Sequence, residues 1–176
     1  MACALTSGRT EPCKDAVGGI KAAYFIDYVE DSFTVSGGEA TAIDAGVTTT
    51  YEYELNSNNN TFVQTATSSK ENGTTTYLQT LTLSLKKQTQ ASAEEIHLLM
   101  KSRPVIVVRD NMGNYQVMGI SDGTVGTGEI ASGGAKEDFN GYTLTFTATE
   151  VEPAPFLDAT TKTAFIALIS GTNITP

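Results

Sequence analysis

The only histidine in the 176-residue chain is His97. Imidazole is the side chain whose intrinsic pKa best suits proton transfer near neutral pH. His97 lies between Ile96 and Leu98 in an apolar stretch, and no spacing marks a nucleophile or an orienting partner for it. It therefore reads as a structural histidine. The adjacent acids Glu94-Glu95 and Glu137-Asp138 read as cap or turn charges, because acid–base work needs two carboxylates facing one cleft and adjacency does not supply that. Gly123-Thr124-Val125-Gly126-Thr127-Gly128 resembles a phosphate loop only in glycine content. It lacks the Lys-Ser/Thr end and opens no helical pattern. Cys3 and Cys13 are the only cysteines. They are too far apart for a redox pair and too few for a metal site, leaving one disulfide or two free thiols. Asn59-Asn60-Thr61 fits a glycosylation acceptor, which matters only in a secreted chain. The expectation is a protein without enzymatic activity, metal or cofactor.

The charge balance narrows the partners. A net charge of −9 with 11 lysines and arginines, and no basic stripe, disfavours a protein that grips nucleic acid by neutralising phosphates. An acidic wall would instead let DNA pass. No apolar run approaches the roughly 20 residues that cross a bilayer, and no signal-peptide pattern opens the sequence, so synthesis in a cytoplasm without membrane insertion is expected. The length suits one domain, 1–176, with a core of its own.

The remaining residues specify extended backbone. In Tyr142–Val151, Tyr142, Leu144, Phe146 and Ala148 alternate with Thr143, Thr145, Thr147 and Thr149. That period of two marks a strand with one apolar and one β-branched polar face. Asn140-Gly141 precedes it as a turn signal, and Pro153 and Pro155 follow as stops. Thr75–Lys87 alternates likewise, placing Tyr77, Gln79, Leu81, Leu83 and Leu85 on one face. Further strands are expected over Ala22–Glu30, Ser32–Val35, Ala40–Val47, Thr49–Leu55 and Phe62–Ser68. Val105–Arg109 and Tyr115–Ile120 read as a hairpin around Asp110–Asn114. Tyr51, Tyr53 and Leu55 share a face opposite Glu52 and Glu54. Ser121–Lys136 reads as a long mobile loop, Met1–Lys21 as an extended arm, and Phe165–Ile169 as a last strand or a covered tail.

One helix is expected over Ser92–Arg103. Ser92 is the expected N-cap and Glu95 the capping-box acid, while Ile96, Leu99, Met100 and Arg103 recur at helical spacing before Pro104.

Three segments carry a family resemblance: the arm LTSGRTEPCKDAVGGIKAAYFIDY, the helix SAEEIHLLMKS with the hairpin RPVIVVRDNMGNYQVMG, and the block GTGEIASGGAKEDFNGYTLTFTATEVEPAPFL. Together they resemble the tail tube protein of long-tailed bacteriophages, especially those infecting Bacteroidota. The resemblance implies a mainly β fold: an antiparallel β-sandwich or small barrel with one flanking α-helix, an N-terminal arm and long inter-subunit loops. It further implies hexameric rings stacked into a hollow virion tail tube, assembled in the host cytoplasm. Double-stranded DNA would pass through that tube without sequence-specific binding, and other tail proteins would be partners. Carried onto this chain, Leu5–Ile20 is the arm and Asn56–Asn72 a stacking region. Arg9, Cys13, Gly123, Gly126, Gly128 and Glu129 are candidate inter-ring contacts, and Glu52 and Glu54 are candidate lumen-facing acids. The alternatives are a head–tail joining or capsid decoration protein, or a β-rich surface adhesin or carbohydrate-binding module using Tyr51, Tyr53 and Tyr77.

Overall fold

The computed structural model describes residues 5, 7–56 and 58–169. Cys3 and the tip of the arm lie outside them. Among the described residues, eleven strands and two helices follow the order β1 (Ile20–Ile26), β2 (Phe33–Ser36), β3 (Glu39–Ile43), β4 (Tyr51–Glu54), β5 (Thr61–Ser69), β6 (Thr74–Lys86), α1 (Gln90–Lys101), β7 (Val105–Asp110), β8 (Tyr115–Met118), β9 (Val125–Ala131), β10 (Gly141–Glu150), β11 (Phe156–Leu157) and α2 (Ala159–Leu168). The strands form a seven-stranded sheet, β2-β3-β11-β8-β7-β1-β4, and a four-stranded sheet, β5-β6-β10-β9. Neither closes into a barrel, so the fold is a β-sandwich with flanking helices.

The central strands of the large sheet are apolar on both faces. Ala23 and Phe25 of β1, with Ile106 and Val108 of β7, turn toward the small sheet. Ala22, Tyr24 and Ile26, with Val105 and Val107, turn the other way. Runs such as VIVV in β7 are what a strand buried on both faces requires. The first core lies between the sheets, where Leu81, Leu83, Leu144 and Phe146 meet it from β6 and β10. α2 covers the second face, and its Phe165 meets Tyr24 edge-on at a 5.3 Å centroid distance.

The expected apolar faces of β6 and β10 are buried: Leu81, Leu83 and Phe146 are 0% exposed, and Tyr142 and Leu144 1%. The hairpin between β7 and β8 forms as expected, with Asp110 Oδ1 accepting from the Asn114 amide at 2.8 Å. Five expectations are corrected. α1 starts earlier than Ser92, because Thr89 is the N-cap and its hydroxyl accepts from the Ser92 amide at 3.2 Å. Glu95 therefore completes no capping box. α1 ends at Lys101 because Arg103 precedes Pro104, which disfavours helical backbone; Arg103 instead stacks 4.0 Å over the Tyr28 ring. Phe165–Ile169 is no strand: Asp158 caps α2 by accepting from the Thr161 amide at 2.6 Å, and Phe165 anchors the helix in the core. Finally, Ser121–Lys136 is not one long loop, since Val125–Ala131 pairs along β10 as β9. The arm is also two residues shorter than expected, because β1 starts at Ile20.

Candidate assembly edges and the threonine face

The small sheet carries three surface features. The first is its outer face. Register places Thr61, Val63, Thr65 and Thr67 of β5 level with Thr82, Thr80, Leu78 and Thr76 of β6. Those β6 residues continue into Thr145, Thr147 and Thr149 of β10, and from there into Thr127 and Val125 of β9. Thr143 pairs with Ser84 on one side and Glu129 on the other. The result is a hydroxyl-and-methyl face whose charged side chains, at the paired positions, are Glu129 and, opposite Gly141 at the end of β6, Lys86. Alternation forces this arrangement, because each inward apolar residue sends its neighbours outward.

The second feature is the pair of free edges. β5 reads TFVQTATSS and β9 reads VGTGEIA, with no lysine, arginine or proline in either. Natural sheets blunt such edges with short strands, charges, proline or bulges. Val63 is 52% exposed at one edge, and Val125 67% and Ile130 64% at the other.

The third is a groove of about 350 Å³ between α1 and β9, lined by residues including Ala93, Ile96, His97, Met100 and Ile130. Its floor is made by glycines. A Cβ on Gly126 would stand 2.8 Å from the Phe146 ring and 2.9 Å from Met100 Cε, and one on Gly128 would stand 2.8 Å from Leu144. These glycines let the helix lie close to the strand.

The expected site residues separate across the fold. Gly126, Gly128 and Glu129 belong to β9. Gly123 is buried, with φ +77°, and a Cβ there would run into the Arg103 carbonyl, so it shapes an internal turn. Beside that turn the Thr124 hydroxyl and amide both donate to the Pro104 carbonyl. Arg9 and Cys13 are exposed on the arm, and Cys13 is a free thiol. The arm is tied down at its end, where Asn111 donates to the carbonyls of Gly18 and Gly19.

Glu52 and Glu54 lie on β4, the edge strand of the other sheet. Glu52 accepts a 2.9 Å hydrogen bond from the Tyr24 hydroxyl. Burial first, and then that hydrogen bond, holds the Tyr24 phenol well above its ordinary value near 10. Tyr53 packs against Phe25 at 4.8 Å and is also raised by burial, with a smaller contribution from Glu95. Tyr51 shares β4 with Tyr53, whereas Tyr77 belongs to β6 in the other sheet.

His97 is exposed on α1 and lines the groove. Glu137 and Asp138 are exposed. Asp138 accepts from the amides of Ala135 and Gly134, which lower its pKa. Among the described residues, no group of three or more His, Cys, Asp or Glu could hold a metal ion, and no helix is long and apolar enough to cross a membrane.

No protein-family model, curated protein or solved structure matches this chain.

Of the elements that residue patterning missed, β9 is the one that lies at these edges. Glycine at positions 126 and 128 erases the apolar half of its alternation. The surviving signal is the alternation itself, with glycines on one face and Val125, Thr127 and Glu129 on the other.

Proposed function

We propose that the chain is a virion structural protein whose copies join through the small sheet into stacked hexameric rings, forming the wall of a phage tail tube. The observation that carries this reading is the pair of long, unblunted edges, β5 and β9, at opposite ends of one sheet. The two edges differ, so joining them is head-to-tail, and head-to-tail contacts that close make rings. Direction is compatible: β5, β6, β10 and β9 alternate antiparallel, and a neighbour's β5 continues that alternation beside β9.

Six copies of a four-stranded sheet give about 24 strands. With a spacing of ~4.8 Å and a tilt of ~40°, that circle has a radius of about 24 Å, which after side chains leaves a bore wider than a DNA duplex. The threonine face would line it. Its paired positions carry a single lysine, Lys86, and one acid, Glu129, so it offers phosphate one cation per copy rather than a basic stripe, and net negative charge elsewhere opposes adhesion. In this arrangement Glu52 and Glu54 stand away from the bore, as charges on a protected edge. The exposed arm suits a contact between rings. The double-stranded DNA passes unread, and the location is the virion tail after assembly in the host cytoplasm.

A carbohydrate-binding adhesin would gather aromatic rings in one cleft, whereas Tyr51, Tyr53 and Tyr77 divide between two sheets. A head–tail joining ring or capsid decoration protein would use the same edges but stop at one ring or cap. Negative-stain electron microscopy across protein concentrations, with size analysis alongside, separates these readings. Hollow tubes of stacked six-fold rings are expected. Single rings would favour the joining protein, and monomers at every concentration would contradict edge-to-edge assembly. Deleting residues 1–19 is expected to leave a folded β-rich protein that forms rings but stacks poorly; normal long tubes from it would remove the arm from the account.

A further inference from the structure

We infer that Phe62 of a second copy completes the groove between α1 and β9. This rests on the head-to-tail joining proposed above. Phe62 is on β5, opposite Leu81, so it faces inward at a free edge. It is only partly buried, packed against the core from one side. At the other end of the same sheet, the inward positions of β9 are Gly126, Gly128 and Ile130, opposite Phe146, Leu144 and Tyr142.

One row of the sheet therefore runs Phe62, Leu81, Phe146, Gly126. It begins on a large aromatic and ends at Gly126, which is covered by Phe146 and Met100 and lines the groove beneath α1. When a neighbour's β5 lies antiparallel beside β9, its inward residues point to the same side as the glycines, beneath α1. The ring of Phe62 then enters space bounded by Ile96, Met100 and Ile130. An inward aromatic at one edge and an apolar groove at the other make a complementary, directional joint. A lone pair of free edges would not specify which strand follows which.

The test is a size exchange. Phe62→Ala removes the ring. Ala93→Phe, at an exposed groove-lining position on α1, fills the groove from its own subunit. Each single variant is expected to raise the concentration for half-assembly by about tenfold, in the range of a buried aromatic anchor. Both should keep a cooperative unfolding transition as monomers. The double variant is expected to recover most of the loss, because the introduced ring meets the space vacated by Phe62. Light scattering and electron microscopy read the assembly.

If the wild type assembles and Phe62→Ala assembles equally well, the inference is overturned while edge-to-edge joining stands. Additive losses in the double variant overturn it too, as does loss of groove occupancy only when residues 1–19 are removed, which would assign the groove to the arm. A wild type that never associates overturns both proposals.

Discussion

The two sheets end differently. The large sheet terminates on β2 and β4, four residues each, and β4 carries Glu52 and Glu54. The small sheet terminates on β5 and β9, nine and seven residues long, whose one charge is Glu129. Short, charged edges resist pairing with other chains, and long neutral ones invite it. One subunit thus combines a sheet closed to additional strands with a sheet open at both ends. In the proposed wall, the large sheet, filled on both faces, would supply rigidity, while the small one would supply the joints and a polar face. It also gives Glu52 and Glu54 a physical role independent of any bore.

The largest expected effect tests whether the sheets depend on each other. Phe146 is 0% exposed and meets Phe25 of the large sheet at 5.2 Å. Phe146→Ala should cost about 3–5 kcal/mol of unfolding free energy by denaturant titration, whereas Thr145→Ala, next to it on the outer face, should stay within about 0.5 kcal/mol. Equal losses would mean that the outer face is itself packed in the isolated subunit.

A lysine at Ala66, an exposed position on the inward face of β5, imitates the natural device for blocking an edge. Ala66→Lys should weaken assembly about tenfold or more with little change in unfolding midpoint. The reverse change on the protected edge, Glu54→Val, should produce a smaller gain in disordered association, visible as light scattering without rings. Unchanged assembly in the first, or unchanged solubility in the second, would break the contrast between the edges.

The mildest effect concerns pH. Below about 10, folded and unfolded chains both keep the Tyr24 proton. Above it, the unfolded phenol ionises while the buried native one, bonded to Glu52, does not, so this contribution is lost progressively as pH rises through the raised native pKa. Tyr24→Phe should flatten this alkaline limb in thermal melts. An unchanged limb would detach Tyr24 from the alkaline behaviour of the β1–β4 edge.

Much of the scaffold was legible in sequence because alternation over ten or more residues leaves little freedom: β6 and β10 announce both faces. The hairpin of β7 and β8 was equally plain, since Asp110–Asn114 interrupts a β-branched run and the extended segment that follows it. α2 was hidden because TTKTAFIAL is rich in residues that favour strands. The Asp158 cap and burial of Phe165 override that preference. The joint was less legible still. That β5 and β9 are edges depends on strand order, and order is a product of contacts across the whole chain. The parallel pairing of β11 with β3, which inserts it beside β8, has no local signal.

Backbone amide hydrogen exchange, compared between dilute and concentrated protein, tests the difference between the edges most directly. Outward amides of β5 and β9 should exchange fast in the monomer and become protected on assembly, while those of β4 stay unchanged. Protection appearing on β4 or β2, with β5 and β9 still exchanging freely in the assembled protein, would contradict the account.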